Sequence, residues 1–168
     1  MRPEDRKEFD ATLETQDPIA TAAAITNASG GTAFTAYEND IPVFTFGLFI
    51  PPQSPRLATL WGFGTTKTKR VIPTITKFAR RFLTAYLLNR TDVQRIEVRV
   101  LEDHKSSVGW IAKLLKGTLE ARNRQYGTSG ETFLQFAWIR EDFEQNKNQK
   151  EDSKHVLVQY ATTDPHRS

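Results

Sequence analysis

The chain has 168 residues, 38% hydrophobic and 26% charged, with no cysteine and a net charge of +3 at pH 7. That length predicts one domain with a core that needs no staples, and that composition is of a soluble globular chain, not a disordered one. The lack of cysteine excludes disulfides, thiolate zinc sites and cysteine nucleophiles and fits a reducing compartment, while no stretch reaches membrane-spanning length and the opening MRPEDRKEFD is too charged for a signal peptide.

In chain order, Pro3 and EDRKEFDATLE predict a short opening helix. DPIATAAAITN predicts a second: Asp17 is a natural N-cap and Pro18 takes the first helical position. ASGG breaks it. Phe34 and Tyr37 lie in a β-prone run that stops at the turn signal END, residues 38–40. Ile41 to Ile50 is dense in β-branched and aromatic residues and reads as a largely buried strand. PPQSP is a loop, and Arg56 to Gly64 is the next strand. Ile75, Phe78, Ala79, Phe82, Leu83, Tyr86 and Leu87 then fall on one helical stripe, with Lys77, Arg80, Arg81 and Thr84 off it.

RIEVRVL alternates. Ile96, Val98 and Val100 point one way, and Arg95, Glu97 and Arg99 the other, which makes Glu97 a half-exposed partner for its arginine neighbours. HKSSVGWIAKLLK predicts a short amphipathic helix carrying Val108, Ile111 and Leu115. Next come a strand in TLEARN, a connection at Gly127 to Gly130, and a strong strand from Thr132 to Ile139. From Glu141 the chain turns charged and amide-rich, as solvated tails do. The expected organisation is an α/β (α+β) domain over residues 1–142 and a polar tail over 143–168, with one added strand at 156–161.

This order, with particular residues, resembles the GCN5-related N-acetyltransferase (GNAT) fold. VLEDHKSS stands where such proteins often read V-L-E-D-N-x-x-S, and RQYGTSGETF is similar to R-R-Y-G-x-D-G-E-x-F. The resemblance spans about residues 2 to 142. It implies a mixed, mostly antiparallel sheet of about six strands flanked by helices. Within that fold, MRPEDR, LWGFGT and KFARRFLTAY are similar to small GNAT-like proteins of T7-like and marine podophages, known as internal virion proteins or as acetyltransferases.

The GNAT fold binds the pyrophosphate of acetyl-CoA on backbone N–H groups in a loop that reads Arg/Gln-x-x-Gly-x-Gly/Ala, between the fourth strand and the next helix. The matching stretch here is TTKTKRVIP, residues 65–73, which holds no glycine, and Pro73 has no amide proton. The resemblance leaves Gly64, Thr65, Lys67, Lys69 and Arg70 as the cofactor-binding candidates, with an exposed basic turn as the simpler alternative. Many GNATs place an acid Tyr seven residues after the motif Asn. His104 replaces that Asn, and seven residues on stands Ile111, which has no proton to give. A base is often a Glu on the fourth strand, and Leu57 to Gly64 has no carboxylate.

The catalytic candidates are therefore His104 and Tyr126. His104 follows Glu102 and Asp103 in a turn, which predicts a surface position, and Tyr126 suits packing at a strand end. His104, His155 and His166 are scattered, so no metal is expected. Neither a Ser-His-Asp pattern nor a Gly-x-Ser-x-Gly elbow is found. Trp61, Trp110 and Trp138 fall in apolar segments and predict core packing.

The first functional expectation is a phage GNAT-fold protein with degraded acetyl-CoA and catalytic motifs. It would be a pseudoenzyme serving as an internal virion component or in assembly, with virion proteins or further copies as partners through residues 143–168. Its place would be the host-cell cytoplasm during synthesis and then the virion. The alternative is a working N-acetyltransferase that moves acetyl from acetyl-CoA to an amine. A nucleic-acid-binding module has only a mild basic excess and Arg80 and Arg81 behind it. The interleaving of both charge signs argues against it, and neither nucleic acid nor membrane is an expected partner.

Overall fold

A computed structural model describes residues 1–12, 23–25, 27–29, 32–142 and 144–145 of the chain. The opening helix α1 runs Pro3–Thr12 and buries Asp5, Phe9 and Ala11. Of the second predicted helix, residues 23–25 and 27–28 are helical, and Asp17 and Pro18 lie outside the described residues. Strands β1 (Ala33–Glu38) and β2 (Ile41–Phe49) form a hairpin. Asn39 and Asp40 link them with φ values of 49° and 61°. Positive φ at both turn residues matches the twist of the strands, and Asn and Asp tolerate it better than most side chains.

Strand β3 (Leu57–Gly64) lies antiparallel to β2, and helix α2 (Thr68–Asn89) follows it. Strand β4 (Arg95–Leu101) leads into a short helix α3 (Lys105–Gly109), which widens into a π-helical segment, Trp110–Leu115. Lys116, in the left-handed conformation with φ 63°, ends it. Strands β5 (Thr118–Asn123) and β6 (Phe133–Ile139) complete a six-stranded sheet in the order β1-β2-β3-β4-β6-β5. All neighbours are antiparallel except β3 and β4. The expected mixed, mostly antiparallel sheet flanked by helices is thus present.

One face of the sheet carries Phe46, Leu48, Ala58, Ile96 and Val98, and α2 covers it with Ile75, Ala79, Leu83 and Leu87. Phe78, on the predicted stripe, is 45% exposed. Its ring instead packs at the rim, 5.0 Å from that of Phe34 and 6.2 Å from that of Phe82. The other face meets α1: Phe9 stands edge-on to Phe63 at 5.7 Å, and Ala11 packs with Leu101 and Phe133.

Two sequence expectations change here. Helix α2 begins at Thr68, so residues 68–73 are helical and the expected nine-residue loop shrinks to three, Thr65 to Lys67. Thr68 is fully buried and its Oγ1 lies 2.7 Å from the carbonyl oxygens of both Val43 and Thr65, which anchors the helix start. Pro73 is accommodated inside the first turns, where it has no N–H to offer the carbonyl of Lys69. Glu97 is 4% exposed, not half-exposed. Arg95, Arg99 and Gln135 cover it, all three donating to its carboxylate.

Arg140, at the start of the helical residues after β6, is buried and donates to the carbonyls of Val93, Arg90 and Leu88. The expected strand at 156–161 lies outside the described residues. Among the described residues, no helix is long and apolar enough to cross a membrane.

Candidate active site

The parallel pair β3 and β4 is hydrogen-bonded only from Leu57 to Thr59 against Arg95 to Glu97. Beyond that point the strands separate. β3 stays on β2 as far as Gly64, and β4 stays on β6 as far as Leu101. The free side of β3 at Gly64 is claimed by α1 instead. The Arg2 N–H donates to the Gly64 carbonyl at 2.8 Å, and the Gly64 N–H donates to Asp5 Oδ2 at 2.6 Å. A cavity of about 650 Å³ opens where the strands part. Its wall takes Leu60, Ala79 and Val98 from one face of the sheet and Phe9, Trp61 and Phe63 from the other, so it passes through the sheet.

The wall is mostly apolar, which makes its polar cluster conspicuous. His104 is 3% exposed, so the expected surface position is corrected. The turn before it does face solvent: Glu102 binds Arg122, and Asp103 lies 3.7 Å from Lys7. His104 itself points under α1, which supplies two carboxylates. Nδ1 lies 2.9 Å from Glu8 Oε2, and Nε2 lies 3.3 Å from Asp5 Oδ1 and 3.1 Å from Ser107 Oγ. A buried imidazole needs partners at both nitrogens, and here it has them. Asp5 is held in turn by Nε and Nη2 of Arg2, at 2.9 and 2.7 Å. Glu8 Oε2 also accepts the Leu101 N–H at 3.2 Å. Glu8, His104 and Ser107 all line the cavity.

Tyr126 lines the same cavity, 47% exposed. Its ring meets Phe133 edge-on at 5.4 Å, and the Arg99 guanidinium sits 5.5 Å from its centroid. Trp138 is buried and donates its N–H to the Leu115 carbonyl. Trp61 and Trp110 are half-buried cavity-wall residues that donate to Ser29 Oγ and Thr76 Oγ1. Ile111 is buried in the wall as well.

Five amides at the β3–α2 turn have internal partners. Gly64 donates to Asp5, Thr65 to the Val43 carbonyl, Lys67 to Thr65 Oγ1, Thr68 to the Thr65 carbonyl and Arg70 to the Lys67 carbonyl. Gly64 is glycine for want of space: a Cβ there would fall 2.4 Å from Thr68 Oγ1. Lys67, Lys69 and Arg70 are exposed, and of these only Lys69 reaches the cavity wall. Arg70 lies 3.8 Å from Glu38.

Asp5, Glu8 and Ser107 were not among the sequence candidates. The only signal was the i, i+3 spacing of Asp5 and Glu8 beside Phe9, which puts both acids next to an apolar position of α1. An acidic helix face is normally solvated, so that signal does not point inward by itself.

No protein-family model matches the chain, and no curated protein matches it in sequence. Solved structures match it in fold. Smu.2055 from Streptococcus mutans UA159 superposes with a TM-score of 0.59 at 18% identity, over 82% of this chain and 89% of that one. RimL, the ribosomal L7/L12 alpha-N-protein acetyltransferase solved in complex with coenzyme A, gives 0.58 at 15% identity, over 81% and 82%. A GNAT-family acetyltransferase from Bacillus anthracis gives 0.56 at 13% identity, over 72% and 74%. The fold is that of GNAT acetyltransferases. At these identities the likeness carries the fold and no residue roles.

Proposed function

We propose that this chain transfers acyl groups, taking an acyl thioester such as acetyl-CoA as donor and an amine as acceptor, in the cavity between β3 and β4. The observation that supports the reading is His104, buried in a mostly apolar cavity wall and flanked by two carboxylates. An imidazole held at one nitrogen can accept a proton at the other, and both nitrogens here face a carboxylate. Glu8 fixes the ring through Nδ1, and Nε2 faces Ser107 and Asp5. His104 would take the proton of the attacking amine and return it to the leaving thiolate. That assigns one group the two roles that the absent Tyr and strand Glu would otherwise fill.

The donor fits unevenly. The apolar cavity through the sheet suits the thioester arm, but most of the turn amides are committed to internal partners. The pyrophosphate would be left largely to the side chains of Lys67, Lys69 and Arg70, which are screened surface charges. Donor affinity is therefore low by this reading.

The test is free-thiol release from acetyl-CoA in the presence of a panel of primary amines. His104→Gln should lower the rate by about 10²- to 10⁴-fold. Equal rates for the wild type and His104→Gln with every amine would end the reading.

A further inference from the structure

Ser107 Oγ, His104 and Glu8 stand in line: Oγ to Nε2 is 3.1 Å, and Nδ1 to Glu8 Oε2 is 2.9 Å. Both distances lie within the reach that joins a nucleophile to its base and that base to its orienting acid. The chain order is Glu8, His104, Ser107, and the acid comes from a helix 96 residues away from the base. No sequence pattern exposes such a set, and triads are recognised by geometry, not by order. All three residues line the apolar cavity, so an acyl chain lying there would have its carbonyl within reach of Ser107.

We infer that Ser107 is a nucleophile, and that the chain forms an acyl-serine from small acyl esters and hydrolyses it. The inference uses the same cavity as acyl transfer from coenzyme A, but it needs neither that donor nor the β3–α2 turn. The Ser107 Oγ–H proton passes to His104 Nε2 as Oγ bonds to the acyl carbon. The ester C–O bond breaks, and the departing alkoxide takes the proton from Nε2. Water then attacks the acyl-serine, giving its proton to Nε2. The acyl–Oγ bond breaks, the proton returns to Ser107, and a carboxylic acid leaves. Asp5 Oδ1, 3.3 Å from Nε2, stabilises the imidazolium at each stage, and its own charge is matched by Arg2. Glu8 orients the ring from the far nitrogen.

The experiment uses the full chain with 4-nitrophenyl butyrate. Nitrophenolate release is followed in time, and intact-mass and peptide mass spectrometry of the quenched protein locate any adduct. A burst with one butyryl group on the peptide at Ser107 is expected. Ser107→Ala should remove the adduct and slow release by about 10³-fold. Ser106→Ala, its neighbour in the wall, should keep both. Glu8→Gln should move the acid limb of the pH profile of the burst, which a merely structural glutamate would not do. An adduct on another residue, none at all on folded wild type, or undiminished release by Ser107→Ala would overturn the inference. If Ser107→Ala fails to fold, Ser107→Cys decides: an adduct at position 107 supports it, and none refutes it. A nucleophilic Ser107 in a protein that releases no thiol from acetyl-CoA would separate this inference from the acyltransferase reading.

Discussion

Replacing Arg140 by Ala tests how the α2–β4 connection is held. The guanidinium is buried, and it gathers three carbonyls that no strand or helix partner reaches, those of Leu88, Arg90 and Val93. Its Nε and Nη2 lie 3.1 and 2.7 Å from the Val93 oxygen, the best-formed of these bonds. A hydrogen bond from a charged donor contributes about 1.5–3 kcal/mol, and stripping the donor also takes both guanidinium bonds from the Val93 oxygen, while the Arg90 oxygen keeps the Val93 N–H at 3.1 Å. Counting Val93 and Arg90 fully and the 3.4 Å contact to Leu88 as little, the loss comes to about 3–5 kcal/mol. For a domain of this size that lowers the melting temperature by about 10 °C. The ion pair with Glu144, at 3.8 Å and half exposed, contributes little, so Glu144→Gln should stay within about 0.5 kcal/mol. Arg140→Lys, a point charge without the fork, should fall between the two. Urea unfolding of the three variants measures this, and a loss below about 1 kcal/mol for Arg140→Ala would refute the assignment.

Three further outcomes are expected. Arg122 holds the Glu102 carboxyl below its usual range, Arg95 does the same to Glu120, and Arg90 brings Asp92 down to about 2. The unfolded chain therefore binds protons more readily than the folded one in that window. The urea midpoint should fall as pH drops from about 5 towards about 2, and a midpoint that rises would contradict the pairing. Calorimetric titration with acetyl-CoA should show weak binding, because most of the turn amides are engaged internally, and micromolar or tighter affinity would contradict that. Truncation after Asp142 should leave the domain folded, because the sheet ends at Ile139 and the buried Arg140 is retained, and a circular dichroism spectrum of an unfolded chain would contradict that.

The sheet was legible because its strands alternate or run continuously apolar between turn residues, as in Ile41 to Phe49 and Phe133 to Ile139. The start of α2 was not. Thr68 to Pro73 carries no apolar stripe, and proline reads as a breaker, whereas the actual anchor is one buried threonine hydroxyl on a carbonyl of β2. The π-helical segment has no periodic signature distinct from that of an ordinary helix. His104 was visible as a residue type but not as a buried one, since its burial is decided by α1 docking from the far end of the chain. Glu97 failed for a related reason: alternation says which face a side chain takes, not what lies over it.

The docking of α1 also fixes when the site can exist. Arg2, Asp5 and Glu8 come from α1 and the residues leading into it, and His104 and Ser107 lie about a hundred positions later in the sequence. Loop-closure entropy opposes so distant a contact until the intervening sheet holds both ends in place. The cavity should therefore gain its polar cluster in the last stage of folding.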